Sequence, residues 1–543
     1  MAIFKNYGVD YKKINAASSV PDLVSVPKKN LTTVFSKHDA LVLIYQNAIE
    51  LINDASLPKF LTEAIKKYKS IDQTFNGESK TPTLLSIPET PGNRVIISFT
   101  GSLDRHVDDV RKFAEAGSRA LSRAVKAGSN KPLMVISTKV IKDKYIYSFE
   151  STLLGALSSI WQPLEGREFR PNLSPLKKLS VVTEATKKGE TISLDFCRAI
   201  EMGKFFARDI TGTEPERMSP ERMVEICREE FKGTAVKVSV ESDFKQIDKN
   251  YPLVGAVARA SQHVTRHQPR IIRLEYTPPG VIEETLYFVG KGLTYDTGGA
   301  DLKVGGHMAG MSRDKGGAGA VAGILRTAAE LKPKNTKIIG IIGAVRNSIG
   351  SDAFVTDEII TSRAGVRVRI GNTDAEGRLV LVELLAKAKE EALTAKNPVL
   401  FTIATLTGHS YRAYGPYPIA IENGVAAKMK LVKEMEKTGE LWGEPFEHSI
   451  VRREDYAFIQ PRSSAEDVVS CNSEPSTMTA RGHQFPMAFL DVTSGLDKHD
   501  LGSENELPYI HIDIGGAAVE GGDWQFGRPT GSPILNLYKT FVK

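Results

Sequence analysis

Arg94-Val95-Ile96-Ile97-Ser98-Phe99 and Pro132-Leu133-Met134-Val135-Ile136-Ser137 are short apolar runs on either side of a helical pattern. Over Val107–Ala127, the residues Val110, Phe113, Ala114, Ala120, Leu121, Ala124 and Val125 recur close to i, i+3, i+4. Strand, helix and strand in succession predict a mostly parallel sheet with helices on its faces. Gly117 falls on the apolar face and weakens the middle of that helix. Leu41-Val42-Leu43-Ile44-Tyr45 supplies a further strand. Residues 1–188 therefore read as one α/β unit, with no Gly-rich phosphate loop and no cluster of titratable residues.

A long helix, Ser193–Arg208, dominates the connecting stretch 189–212. Ser219-Pro220-Glu221-Arg222 follows as an N-cap with proline at the first helical position. From 213 to 543 strand-like runs return at Ile271–Tyr276, Thr285–Val289, Lys337–Ala344, Val366–Ile370 and Val399–Ala404. Helical patterns cover Gly317–Leu331 and Leu379–Leu393. This part is again α/β.

Composition supports a folded chain. Of 543 residues 41% are apolar, about 49% once the 45 glycines are added, and 25% are charged. Disorder and collagen are excluded, and sizeable cores are expected. The net charge of +6 comes from 71 basic and 65 acidic residues and is not concentrated in a stripe, so a dedicated nucleic-acid binder is not indicated. The short pair Lys187-Lys188 reads as solvated surface. Cys197, Cys227 and Cys471 form no CxxC pair, which points to a reducing compartment. The opening MAIFKNYGVDYKK lacks the apolar core of a signal peptide, and no run approaches a membrane span. A cytoplasmic protein is the expectation.

The chemistry concentrates in the second half. Asn372-Thr373-Asp374-Ala375-Glu376-Gly377-Arg378-Leu379 follows one strand-like run and precedes a helix. Its two carboxylates, one small residue apart, can converge on one point, and loops at the carboxyl ends of strands are where open α/β sheets place their sites. Gly377 allows close approach. Taken alone, the octapeptide fits a charged helix N-terminus equally well. Upstream, Val289-Gly290-Lys291-Gly292 leads from a strand to Asp296, and Asp314 precedes a Gly-Gly pair and an Ala-rich helix. Asp296, Asp314, Asp374 and Glu376 are thus carboxylates at strand or helix junctions, with Lys291, Lys303 and Arg378 as cations nearby in sequence. Four crowded carboxylates repel unless cations intervene. Two bridged divalent ions satisfy that need. With no HExxH and scattered histidines, the donors suit Mn²⁺, Mg²⁺ or Zn²⁺.

These residues resemble the leucyl aminopeptidases, the cytosol aminopeptidase family of dimetal exopeptidases. The octapeptide 372–379 matches the family signature, with Val-Gly-Lys-Gly (289–292), Arg313-Asp314-Lys315-Gly316-Gly317, Ala404-Thr405-Leu406-Thr407-Gly408 and Pro508-Tyr509-Ile510-His511-Ile512-Asp513 around it. The similarity spans most of 205–540 and is loose over the first domain. It implies a catalytic domain over 213–543 with a mixed sheet flanked by helices. It implies metal ligation by Lys291, Asp296, Asp314, Asp374 and Glu376, with Asp296 and Glu376 bridging. Lys303 and Arg378 become the catalytic residues: the lysine polarises the scissile carbonyl, and the arginine holds a bicarbonate. Met311, Asn372, Thr405, Leu406 and Gly408 line the substrate pocket, although Met311 also fits plain core and Thr405–Gly408 an ordinary strand-to-turn segment. The resemblance further implies peptide substrates with a free N-terminus and a homohexamer.

The chain departs from the family pattern in places. Ala300-Asp301 stands where Ile/Leu-Ser is usual, Ser312, Arg313 and Lys315 alter the Met-Lys-Gly-Asp-Met motif, and Arg346 replaces a usual Glu. Asp301, Arg313 and Lys315 are expected to add charge near the pocket. The polar stretch 450–505 departs most and bears on access or assembly. A catalytically weak or inactive member with a structural or binding role, including a DNA-binding relative, is the alternative. A phosphatase or another metal hydrolase fits the lysine and the octapeptide poorly.

Overall fold

The computed structural model describes residues 11–137, 143–170, 173–183, 194–521 and 523–542. The pair Lys187-Lys188, the start of the connecting helix at Ser193 and the division at 188/189 lie outside these residues. The chain divides into two compact units, 1–202 with 439–443, and 203–438 with 444–543.

In the first unit a six-stranded sheet is built from β1 (Asp22–Pro27), β2 (Ala40–Tyr45), β3 (Thr83–Leu85), β4 (Val95–Phe99), β5 (Pro132–Ile136) and β6 (Lys178–Thr183). The order is β1-β6-β5-β2-β4-β3, parallel except for β3. The central strands β2, β4 and β5 are buried along their whole length, as covered parallel strands require. Helix α1 (Lys59–Ile71) precedes β3, and α2 (Arg111–Lys126) joins β4 to β5. The latter begins four residues later than the periodicity suggests. Asp108 and Asp109 accept from the backbone N–H groups of Arg105 and Arg111, local bonds that compete with a helix. Gly117 has a positive role. A Cβ there would lie 2.2 Å from the Thr152 carbonyl oxygen of α3 (Ser148–Ser158), and one at Gly155 would lie 2.1 Å from that of Ala114. The two glycines let the helix backbones touch.

Helix α4 (Leu194–Gly212) runs four residues beyond the expected end, and Ser219 caps α5 (Pro220–Glu230) by accepting from Arg222 N. The second unit holds an eight-stranded mixed sheet. Its strands are β7 (Val236–Glu241), β8 (Arg270–Tyr276), β9 (Glu284–Asp296), β10 (Thr336–Asn347), β13 (Pro398–Ala404), β14 (Ile419–Glu422), β15 (Glu447–His448) and β17 (Tyr509–Asp513). A small separate sheet comprises β11 (Ile359–Thr361), β12 (Arg367–Arg369) and β16 (Val468–Val469). In the main sheet, β17, β13, β9 and β10 run parallel at the centre. Helices α6 (Gly316–Leu331) and α7 (Glu376–Ala392) pack on β9, α8 (Gly408–Tyr414) follows β13, and α9 (Phe485–Ser494) packs on α7.

The strand-like run Val366–Ile370 contains the strand Arg367–Arg369, which lies in the small sheet and not in the main one. Its alternation explains why: Val368 is buried while Arg367 and Arg369 pair with Asp467 and Glu466, a one-sided pattern. The stretch 450–505 is not polar throughout. It contains α9, whose Phe485, Met487, Ala488, Phe489 and Leu490 are all buried. The three cysteines are buried, and none is in a disulfide. No helix among the described residues is long and apolar enough to cross a membrane.

Candidate active site

Strand β9 brings the first two candidates. The strand-like run read from the sequence ends at Val289, but β9 continues to Asp296, held by β10 along its length. Side chains of a strand alternate, so residues five apart should face opposite ways. Here the register slips: Leu293 pairs with Val345 and Tyr295 with Arg346, leaving Thr294 as an extra residue. The bulge turns Asp296 onto the face of Lys291.

The other carboxylates come from helix entrances. Met311–Arg313 forms a 3-10 turn delivering Asp314 just before α6. Asn372 caps a second 3-10 turn, Thr373–Ala375, its Oδ1 accepting from Asp374 N at 2.7 Å. Glu376 is the first residue of α7. Gly377 is required beside it: a Cβ would lie 2.4 Å from Lys291 Cε.

These groups converge. Lys291 Nζ lies 2.9 Å from Asp314 Oδ2 and 3.0 Å from Glu376 Oε1. Lys303 Nζ lies 3.0 Å from Asp296 Oδ2 and also contacts Asp374 Oδ1. Ligand atoms of Asp296, Asp314 and Glu376 lie within 4.8 Å of one another, and all three residues are buried. Asp296 Oδ1 accepts from Asn347 Nδ2 at 2.8 Å and Gly298 N at 2.9 Å. Asp314 Oδ1 accepts from Thr405 Oγ1 at 2.8 Å, and Lys291 Nζ donates to the Thr405 carbonyl at 3.1 Å. Asp314 Oδ2 and Glu376 Oε1 have the Lys291 ammonium as their partner, and Glu376 Oε2, also buried, accepts no hydrogen bond.

Four carboxylates facing two ammonium groups leave an excess of negative charge. Burial pushes the Asp314 carboxyl up to about 8 and that of Asp374 up to about 7, and neighbouring carboxylates add to both. Glu376 moves the same way for the same reasons. Burial opposes the charge on Lys291 and Lys303, but the surrounding carboxylates outweigh it and hold both amines above the ordinary lysine range. Buried carboxylates in such excess over their cations, with Glu376 Oε2 unpartnered, fit divalent cations.

Arg378 is fully buried, donates from Nη1 to the Ser470 carbonyl at 2.8 Å and lies over the Phe485 ring at 4.9 Å. Its Nε has no partner. Of the expected pocket residues, Thr405 touches the cluster directly, whereas Leu406 N donates to Asp513 Oδ1 and Gly408 N to Ser476 Oγ. Met311 is half-buried in its turn. The charges expected near the pocket are largely engaged: Lys315 is buried with Nζ donating to the Thr213 and Ser312 carbonyls, and Arg313 donates to that of Gly527. Sequence reasoning assigned no role to Asn347, Thr373 or Asp513. Asp513 accepts from Leu406 N, Thr407 Oγ1, Gly515 N and Ser410 Oγ and so shapes the 405–408 loop. Its membership of the Pro508–Asp513 motif was the available signal.

Residues 205–538 match the model of the cytosol aminopeptidase family, catalytic domain. A Caenorhabditis elegans protein called "putative aminopeptidase" is 38% identical over 92% of this chain and 95% of its own. A "probable cytosol aminopeptidase" of Helicobacter hepaticus is 30% identical over 78% of this chain and 83% of its own. The solved structure of the bottromycin maturation enzyme BotP in complex with Mn shares the fold, with a TM-score of 0.72 at 20% identity, covering 92% of this chain and 98% of that one. The chain belongs to the cytosol aminopeptidase family, a family of metal-dependent aminopeptidases.

Proposed function

We propose that this protein is a dimetal aminopeptidase that releases N-terminal residues from peptides with a free amino terminus. The observation that carries the reading is the convergence of buried Asp296, Asp314 and Glu376, with Asp374 joined to Asp296 through Lys303 and Glu376 Oε2 left without a hydrogen bond. Lys291, Asp296, Asp314, Asp374 and Glu376 would hold two divalent cations, Mn²⁺, Zn²⁺ or Mg²⁺. Such cations supply Lewis acidity and lower the pKa of water.

The chain's own groups do the rest. Lys291 must act as a neutral amine. Once its carboxylate neighbours are neutralised, burial remains, and burial favours that form. Lys303 brings a fixed cation to the scissile carbonyl and donates to the oxygen as it gains charge. Arg378 keeps a buried, unpartnered Nε, the donor that suits a bicarbonate, while Ser470 and Phe485 fix its plane. Met311, Asn372, Thr405, Leu406 and Gly408 form the substrate side. Within this reading 213–543 is the catalytic domain, 1–188 the N-terminal domain and 189–212 the connecting helix. The protein works as a cytoplasmic homohexamer without membrane or nucleic-acid partners; sedimentation as a monomer would overturn the hexamer. No observation among the described residues favours the structural or binding alternative.

The test is hydrolysis of aminoacyl fluorogenic amides by chelator-stripped protein restored with Mn²⁺, Zn²⁺ or Mg²⁺. Metal-dependent release from free but not N-acetylated substrates is expected. No turnover with any metal refutes the reading.

A further inference from the structure

Lys303 reaches Asp296 and Asp374 from an irregular segment, 297–310, in which Gly298, Gly299, Gly305, Gly306 and Gly310 all have positive φ. Its neighbours Leu302 and Val304 are exposed. A lysine stem is flexible, so the amine is held in place only if the backbone beneath it is fixed.

The fixing contacts centre on Thr373, a fully buried residue one position before Asp374. Asp301 N donates to Thr373 Oγ1 at 2.8 Å, and Thr373 N donates back to Asp301 Oδ2 at 2.7 Å. Thr373 Oγ1 donates to the Gly298 carbonyl at 2.6 Å and lies 3.1 Å from Asp301 Oδ2. The Thr373 carbonyl accepts from Asn347 Nδ2 at 3.2 Å, the same amide that holds Asp296. Gly299 passes through this knot: a Cβ there would lie 3.0 Å from both Asn347 Oδ1 and Thr373 Oγ1. Every polar atom of Thr373 is therefore used, and the Lys303 segment is tied at both Gly298 and Asp301. A carboxylate accepting a backbone N–H makes a strong, charge-assisted bond. This gives a physical use to Asp301, one of the chain's departures from the family pattern.

We propose that Asp301 is a positioning residue. Through its two-way clasp with Thr373 it sets Lys303 Nζ against Asp296 and Asp374, and it acts on the reaction through Lys303. The inference rests on the proposed role of Lys303.

The test compares the full-length, Mn²⁺-loaded protein with Asp301→Ala, Asp301→Asn, Lys303→Ala and the double variant Asp301→Ala/Lys303→Ala. Three readouts are used: kcat and KM, bound metal, and hydrogen exchange over residues 297–304. Asp301→Ala should lower kcat about ten- to a hundredfold, with KM and bound metal within about twofold of the parent. Asp301→Asn keeps an acceptor oxygen for Thr373 N and should recover most of the activity. In the Lys303→Ala background, removing Asp301 should cost nothing more. The proposal is overturned by an Asp301→Ala enzyme with parental kcat, by equal damage from alanine and asparagine, or by an undiminished loss in the Lys303→Ala background. Absence of peptidase activity in the parent would defeat the proposed function, and hydrogen exchange then judges the clasp: Asp301→Ala must speed exchange across 297–304, and an unchanged pattern refutes it.

Discussion

Gly377→Ala separates the needs of the fold from those of the proposed metal site. Gly377 is the second residue of α7 and its backbone is not left-handed, so alanine suits the helix and raises its intrinsic propensity by about 1 kcal/mol. The added methyl would lie 2.4 Å from Lys291 Cε, 2.5 Å from Nζ and 2.7 Å from Cδ. Ordinary contact begins at 3.4 Å, so the end of the lysine must retreat by about 1 Å. The stem is flexible enough to do so without unfolding the protein. The amine, however, is confined between Asp314 and Glu376, and a ligand displaced that far no longer reaches its cation. The expected result is a melting temperature within a few degrees of the parent and Mn²⁺ affinity lowered about ten- to a hundredfold. The assay is calorimetric titration of chelator-stripped protein. In a Lys291→Ala background the same substitution should cost no further affinity. Parental affinity in Gly377→Ala would refute Lys291 as a ligand.

Other substitutions divide the site by role. Asp374→Asn and Glu376→Gln should lose bound metal and activity together, whereas Lys303→Ala and Arg378→Ala should keep their metal and lose about 10²–10³-fold in kcat, with metal content read by elemental analysis. Loss of both metals from Lys303→Ala would show the role assignment to be wrong. Because burial and the neighbouring carboxylates push the Asp314 and Asp374 carboxyls up toward the neutral range, cations must displace protons. Mn²⁺ affinity should therefore climb from pH 6 to 8, with proton release visible as a buffer-dependent binding enthalpy. Glu383 lies away from this cluster, buried in α7, accepting from Leu253 N and Arg363 N at 3.0 Å each. Burial raises its carboxyl to about 7. The folded state therefore holds a proton that the unfolded chain releases above about pH 4.5, so stability falls as pH rises from there to about 7, by on the order of 2–3 kcal/mol. Glu383→Gln, which cannot ionise, should flatten that fall in urea midpoints measured across the range, and an unchanged slope would contradict the assignment.

The α/β class was legible because covered parallel strands are uninterrupted apolar runs, as at Ala40–Tyr45 and Pro132–Ile136. Where a strand carries chemistry, that signal failed. Lys291 flanked by two glycines looks like a loop, yet Gly290 and Gly292 are small because the Gly317 and Gly343 carbonyl oxygens lie 2.8 Å and 2.7 Å from where their Cβ atoms would be. The bulge at Thr294 was invisible for another reason. It is a property of pairing between β9 and β10, residues some fifty positions apart, and nothing local encodes it. The residues proposed to react could be named from the octapeptide and its companions. The residues that hold them could not, because Asn347 reaches Asp296 and Thr373, Thr405 reaches Asp314, and Asp513 reaches Leu406 only in the folded chain.

The same geometry bears on why two lysines in one cluster would take different parts. Both stand about 3 Å from carboxylates, and both are held protonated by them. They differ in what remains when cations neutralise those carboxylates. Lys291 belongs to a rigid central strand, its side chain only 4% exposed, with Gly377 against its stem and the Thr405 carbonyl at its amine. Stripped of its negative partners, it keeps only the burial that favours the neutral, ligating form. Lys303 stands on an irregular segment with a side chain 15% exposed. It keeps more access to water and hence its charge, which is what stabilising an oxyanion requires. On the proposed reading, the strand lysine is the ligand and the loop lysine the cation because the bulge and the clasp place them at different depths of one charge cluster.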